Sequence, residues 1–231
     1  MIIFDAGPVI SFALNGILWV FEELKKHYDG EFIIPPAVRG ELVNKPLTIL
    51  RYKLEAFQVL DLISDGIFTI KKTDTLFAQS DEYMDLANRI FYARGHPVTI
   101  IQRGEVEALI MANELKAKAL VVDERTTRLL VEQPQSLRTI LANKLHTKVT
   151  MDRVILKRFS KITKNVNVIR SVELFTVAYE LGILERYLDT LKDKTIENPK
   201  LSLLEAGLWA LKYKGATVSE KEIKKILKIE K

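Results

Sequence analysis

Two short apolar runs, each ending on an aspartate, constrain this chain more than any other feature. Ile2-Ile3-Phe4 leads into Asp5, and Leu120-Val121-Val122 leads into Asp123. A run that short, followed at once by Gly7 and Pro8, reads as a parallel strand buried on both faces whose C-terminal end delivers its carboxylate into a crevice. Ligands of open α/β sheets bind at such strand ends. The second run has a helical pattern directly behind it, as the first does, so two strands ending on aspartate point to one acidic site.

The chain between and after them alternates. Pro8 suits the first turn of a helix through Leu14, Gly16 breaks it, and Ile17, Val20, Phe21 and Leu24 continue an apolar stripe at helical spacing. Glu31 to Ile34 reads as a second strand. Pro35-Pro36 stops it and presets a helix that carries Val38, Glu41 and Leu42. Apolar residues recur at helical spacing from Leu47 to Ser64, and Asp65-Gly66 turns the chain into a third strand, Ile67 to Ile70. Thr75 to Arg94 reads as helix, broken at Gly95-His96-Pro97. Gly104 then precedes a strong helix from Glu105 to Lys116 that leads into the Asp123 strand. A short helix, Arg125 to Val131, follows. Val166 to Ile169 reads as a last strand, and helices return from Ser171, with Leu201 to Lys212 and Ser219 to Lys228 closing the chain. Strands alternating with helices imply an α/β fold with a doubly wound parallel sheet and helices on both faces. The expected division is a core over 1–132, a basic insertion with the last core strand over 133–170, and C-terminal helices packed on the core over 171–231.

Composition limits the chemistry. With 231 residues, 48% of them hydrophobic, the chain can bury a full core. Val9 to Phe21 is too short to span a bilayer and contains Ser11, Asn15 and Gly16, so it reads as buried helix. Asp5 precedes any Lys or Arg, which argues against a secretory signal, so a cytoplasmic protein without a membrane partner is expected. The absence of cysteine excludes disulfides and thiolate metal sites. His27, His96 and His146 show no ligand spacing and read as surface or turn residues. Trp19 and Trp209 lie on apolar helical faces and read as core.

Carboxylates therefore carry the chemistry. Asp5 and Asp123 end strands, Glu41 sits early in a helix, and Gly104-Glu105-Val106-Glu107 opens another. Carboxylates converging from separate elements suit hard cations such as Mg²⁺ or Mn²⁺. Without a cation, like charges at close range raise one another's pKa values. Glu105 and Glu107 compete for one place, because residues two apart on a helix point about 200° apart; Glu105, directly after the glycine, is preferred. Each acid also has a plainer reading: an aspartate ending a strand caps the next helix, and glutamates favour helix N-termini through the dipole.

These residues resemble a known family. DAGPVISFALNGILWVFEEL, then FIIPPAVRGEL, then RGEVEALIMANELKAKALVVDERTTRLL, look like a PIN domain, in particular a prokaryotic branch reading Asp-x-Ser-Pro-Leu-Ile, Ile-Pro-x-x-Val-x-x-Glu-Leu, Gly-Glu-x-Glu-Ala and Val/Ile-Asp-Glu-x-x-x-Arg. The match covers residues 1–45 and 102–130, with a weaker echo in the C-terminal helices. The resemblance implies a nuclease core, Mg²⁺ or Mn²⁺ as cofactor, and hydrolysis of single-stranded or structured RNA. It gives Asp5, Glu41, Glu105 and Asp123 as the catalytic and metal-binding cluster, with Glu107 as the alternate to Glu105. It also implies a toxin–antitoxin setting with an antitoxin-type protein partner, and a homodimer.

The sequence departs from that pattern at Gly7, where the branch carries Ser or Thr, and this removes a hydroxyl that could hold a metal water or a phosphate oxygen. The alternative function is therefore a catalytically weak PIN-fold protein that binds nucleic acid or regulates. A haloacid-dehalogenase-type phosphatase also begins with a strand ending on aspartate, but it needs a second aspartate where Gly7 stands.

One further region bears on the partner. The net charge is +5, and Arg138 to Arg170 holds nine Lys or Arg residues and one acid, Asp152. The spacing predicts an amphipathic helix over Asp152 to Lys164 with Arg153, Lys157, Lys161 and Lys164 on one face, a row suited to the phosphates of RNA. Its plain reading is a solvated outer face.

Overall fold

The computed structural model describes residues 1–188 and 196–231. Its strands in chain order are β1 (Ile2–Phe4), β2 (Phe32–Ile34), β3 (Phe68–Ile70), β4 (Phe91–Ala93), β5 (His96–Pro97), β6 (Ala119–Val121), β7 (Val149–Met151) and β8 (Val168–Ile169). Five of them form one sheet in the order β3-β2-β1-β6-β8, with every pair parallel. The chain winds outward from β1 to β3, then returns past β1 to lay down β6 and β8 on the other side. Such a reversal opens a crevice at the carboxyl ends of the two central strands. Asp5 follows β1 there, and its backbone N–H donates to Val121 O of β6 at 3.0 Å.

The helices are α1 (Ala6–Leu14), α2 (Trp19–His27), α3 (Pro36–Arg39), α4 (Lys53–Ser64), α5 (Leu76–Ala87), α6 (Arg103–Glu114), α7 (Arg125–Glu132), α8 (Pro134–Leu145), α9 (Arg153–Phe159), α10 (Ser171–Glu180), α11 (Pro199–Tyr213) and α12 (Glu220–Ile229). They cover both faces of the sheet, and β1, β2 and β6 are apolar throughout because successive side chains serve opposite faces. Phe4, Phe32, Ile34 and Val121 pack with α1, α2, α4, α10, α11 and α12. Ile3, Ile33, Leu120 and Val122 pack with α5 through α9. Phe4 meets Phe21, Phe32 and Phe68 edge-on, with ring centroids 5.5, 5.2 and 5.3 Å away, the arrangement that ring quadrupoles favour. Among the described residues, no helix is long and apolar enough to cross a membrane.

Three regions differ from the sequence-based expectation. The helix expected to run to Arg94 ends at Ala87. Phe91 to Pro97 instead forms a hairpin, which joins β7 in a second, antiparallel sheet of order β5-β4-β7. Its two-residue turn has Arg94 at φ 51° and Gly95 at φ 82°, the doubly positive backbone that matches the twist of a tight hairpin. The strands are too short to show alternation, which is why helical spacing won the sequence reading.

The helix carrying Glu41 is also irregular, because α3 passes into a π turn over Gly40–Asn44 in which Lys45 N–H donates to Gly40 O at 2.9 Å. The third correction concerns the basic row. The helix expected over Asp152 to Lys164 stops at Phe159, where Lys161, Ile162 and Thr163 bond three residues back instead of four. Ser160 Oγ donates to Lys157 O at 2.7 Å and so competes for that last turn. Lys161 and Lys164 therefore lie in turns beyond α9, and the four cations, all exposed, do not share a continuous helical face.

Candidate active site

Asp5, Glu41 and Glu105 line one cavity of about 490 Å³ at the carboxyl edge of the sheet. Ala6, Gly7 and Ile10 of α1 form one wall, Thr99 to Gln102 another, and Glu124, Thr126 and Lys144 complete the rim. Each acid arrives from a different element for a local reason. Asp5 caps α1, its carboxylate accepting from Gly7 N–H at 3.4 Å. Glu41 comes from the π turn, a motif that shifts the direction of the residues it carries and recurs at functional sites. Glu105 sits in the first turn of α6 and accepts from Gln102 N–H at 2.8 Å.

Asp123 lies directly behind the cavity without lining it. It is 4% exposed, and it accepts from Ser171 N–H at 2.8 Å and from the Ser11 hydroxyl at 3.2 Å. Gly7 separates it from the open space: a Cβ at position 7 would stand 3.5 Å from Asp123 Cβ and 3.6 Å from Asp5 Oδ2, both ordinary contacts. Glu107 turns away toward α3, as its helical offset from Glu105 requires. It is fully buried, and Oε2 accepts from Ala37 N–H at 2.8 Å while Oε1 has no hydrogen-bond partner and stands 4.0 Å from the Arg103 guanidinium. Glu107 thereby anchors the start of the segment that ends in Glu41.

Electrostatics mark the cavity. Burial, then the charges of Glu105 and Glu41, push Asp5 up to about 7, against the opposing hydrogen bonds from Ala6 and Gly7 N–H. Loss of solvent raises Glu41, and Glu105 adds to this while Lys45 opposes it. Glu105 is raised by burial and, more weakly, by Glu124. Burial also raises Asp123 and Glu107, with Ser171 N–H and Ala37 N–H respectively pulling back. All five shifts are upward with burial as the first cause, and at Asp5 and Glu41 the neighbouring carboxylates of the cavity add to it.

A family model described as a PIN domain matches residues 1–135, more than half of the chain. The chain belongs to the PIN domain family. No curated protein and no solved structure matches it. The PIN fold is a nuclease-type fold, and its members typically use divalent metals. In this PIN domain the donors in the cavity are all oxygens, the type that Mg²⁺ and Mn²⁺ prefer. Among the described residues, no three acids stand close enough to enclose a metal ion. The set therefore fits a hard cation that keeps several waters and takes one or two carboxylates directly.

Sequence reasoning missed several parts of this PIN cavity. Glu124 faces it and caps α7 by accepting from Thr126 N–H at 3.0 Å. Its signal in the sequence is its place directly after Asp123. Asn88 holds the 99–102 wall in place: Oδ1 accepts from Ile100 and Ile101 N–H at 2.7 and 3.1 Å, and Nδ2 donates to Ile101 O at 3.1 Å. Lys144 reaches the rim from α8, over a hundred residues from Asp5 in sequence and without any motif to announce it.

Gly104 has a steric role. A Cβ there would lie 2.6 Å from Glu41 Oε1, so only glycine lets the Glu41 carboxyl lie against the start of α6.

Proposed function

We propose that this PIN domain is a metal-dependent endoribonuclease that hydrolyses phosphodiester bonds of single-stranded or structured RNA. The observation that carries the reading is the cavity itself, where Asp5, Glu41 and Glu105 face one open space with these three carboxyl pKa values pushed upward. Such a cluster is relieved by a cation. Asp5, Glu41 and Glu105 would hold Mg²⁺ or Mn²⁺, one or two of them directly and the rest through its waters, with Asp123 behind them as a further charge. When bound, the metal supplies an activated water and neutralises charge that gathers on the phosphodiester.

The chain's own groups do the positioning. Lys144 at the rim and the exposed Arg153, Lys157, Lys161 and Lys164 offer cations for backbone phosphates. Asn88 fixes the wall against which the strand would lie. An antitoxin-type protein partner and a homodimer belong to the same proposal.

A second reading, a catalytically weak nucleic-acid-binding or regulatory PIN protein, draws on Gly7, where no hydroxyl faces the cavity. A fluorophore-labelled single-stranded RNA separates the two. Cleavage with Mn²⁺ that stops with a chelator supports the nuclease, and retention of the RNA without cleavage supports the binder.

Gly104→Ala tests the assembly of the cluster. The Glu41 carboxyl is the flexible end of its side chain and gives way, while alanine favours a helix over glycine by about 1 kcal/mol. The melting temperature should hold or rise, and calorimetric Mn²⁺ affinity should fall by at least about tenfold, equivalent to 1.4 kcal/mol. Unchanged affinity would exclude Glu41 from the metal set.

A further inference from the structure

The small antiparallel sheet of β5, β4 and β7 leaves one face open. Phe91, Ala93, Val149 and Met151 turn inward and pack on the core, so by the two-residue alternation of a strand Tyr92 and Thr150 turn outward. On the middle strand, Tyr92 stands directly opposite Pro97 on one side and Thr150 on the other. Pro97 and Thr150 are exposed and Tyr92 is half-buried, which puts an aromatic ring in the middle of the open face. Lys148, exposed and two residues before Thr150, shares its outward direction. Arg89, paired with Asp85 at 3.2 Å, stands beside the Tyr92 hydroxyl.

Charge sets this face apart. The two segments that build it, 86–104 and 133–151, hold six Lys or Arg residues and no Asp or Glu. Among the described residues Arg94, Lys144 and Lys148 make no ion pair, so their charge is available to a ligand. The same two segments reach the acidic cavity, which is lined by Thr99 to Gln102 just after β5 and by Lys144 just ahead of β7. A cluster of carboxylates repels a polyanion, so a strand brought to it needs a cationic surface alongside.

We infer that the outer face of this sheet receives single-stranded RNA on one side of the acidic cavity, with one base stacked on Tyr92 and the backbone held by Arg94 and Lys148. The inference rests on the nuclease reading of the cavity for its RNA ligand. The strandedness follows from the ring. A duplex keeps its bases stacked on one another and offers no base face to a side chain, whereas a single strand splays its bases onto aromatic rings while cations track its phosphates. Stacking of this kind accepts every base, so the face binds without sequence preference.

The test is fluorescence anisotropy of the metal-free chain with a labelled oligouridine of about ten nucleotides, a length within the range that single-strand surfaces cover, and with the same oligomer lacking its bases. Tyr92→Ala should weaken oligouridine binding at least about fivefold, the effect of one lost stack, while Tyr92→Phe keeps the wild-type affinity. On the abasic oligomer Tyr92→Ala and wild type should bind alike. Arg94→Gln combined with Lys148→Gln should flatten the slope of log affinity against log salt by about 1.4, roughly 0.7 for each phosphate contact. No binding by wild type, wild-type affinity in Tyr92→Ala, an equal loss on the abasic oligomer, or an unchanged salt slope would each overturn the inference. An acidic protein segment on this face would produce the second or the fourth of these. Metal is absent throughout, so binding is read apart from cleavage. RNA bound as expected but left uncut with Mn²⁺ counts against the nuclease reading only, and RNA cut with Mn²⁺ while every variant binds as wild type does counts against this surface only.

Discussion

Asp5→Asn is expected to stabilise the metal-free protein by about 4 kcal/mol near pH 8 while abolishing cleavage. Asp5 moves from 3.8 up to about 7 on folding, and each unit corresponds to about 1.36 kcal/mol. The sign is the reverse of a salt-bridged carboxylate. The fold prefers the protonated form, so stability is complete below about pH 4 and declines as pH rises through 7. Wild type should therefore melt at lower temperature at pH 8 than at pH 5, and Asp5→Asn should be much flatter. Asparagine keeps the capping acceptor for α1. Saturating Mn²⁺ should restore wild type at pH 8 by mass action and leave the variant nearly unmoved. A variant as pH-sensitive as wild type would show that the charge strain lies elsewhere.

Asp123→Ala should act in the opposite direction. Ser11 and Ser171 are both buried, and the alanine would leave the Ser171 N–H and the Ser11 hydroxyl without their acceptor. Each orphaned group costs roughly 1 to 3 kcal/mol, offset in part by removal of a carboxylate that burial already disfavours. A net loss of roughly 2 to 4 kcal/mol in urea unfolding is expected. Asp123→Asn retains an acceptor for Ser171 and should recover most of that loss, with cleavage falling less than in Asp5→Asn because Asp123 does not line the cavity. If alanine and asparagine are equally destabilising, the charge itself holds Ser171 in place.

That contact also shows how the C-terminal helices reach the site. Ser171 opens α10, and the preceding Arg170 is 7% exposed, donating to Thr217 O and Glu222 Oε1 at 2.9 and 2.8 Å and to Glu173. The start of α10 is thereby tied to α12 and presents its N–H to Asp123. Sequence spacing between residues 123 and 171 carries no trace of this, because hydrogen bonds between distant segments leave no periodic signal.

What the sequence by itself determined is the part governed by local rules. Runs buried on both faces become parallel strands, so Ile2 to Phe4 and Leu120 to Val122 announced both the central strands and the aspartates at their ends. Pro35-Pro36 announced the helix of Glu41, and Gly104 the start of α6. The tertiary structure decided which acids face the open space. Glu105 enters the cavity while Glu107 anchors α3, Asp123 turns to Ser171 and Ser11, and Glu124 joins the rim. It also decided that Phe91 to Pro97 pairs with β7 and that the basic helix ends at Phe159. Each of these outcomes depends on a partner far away in the chain, whose hydrogen bonds and packing override a local preference too weak to choose alone.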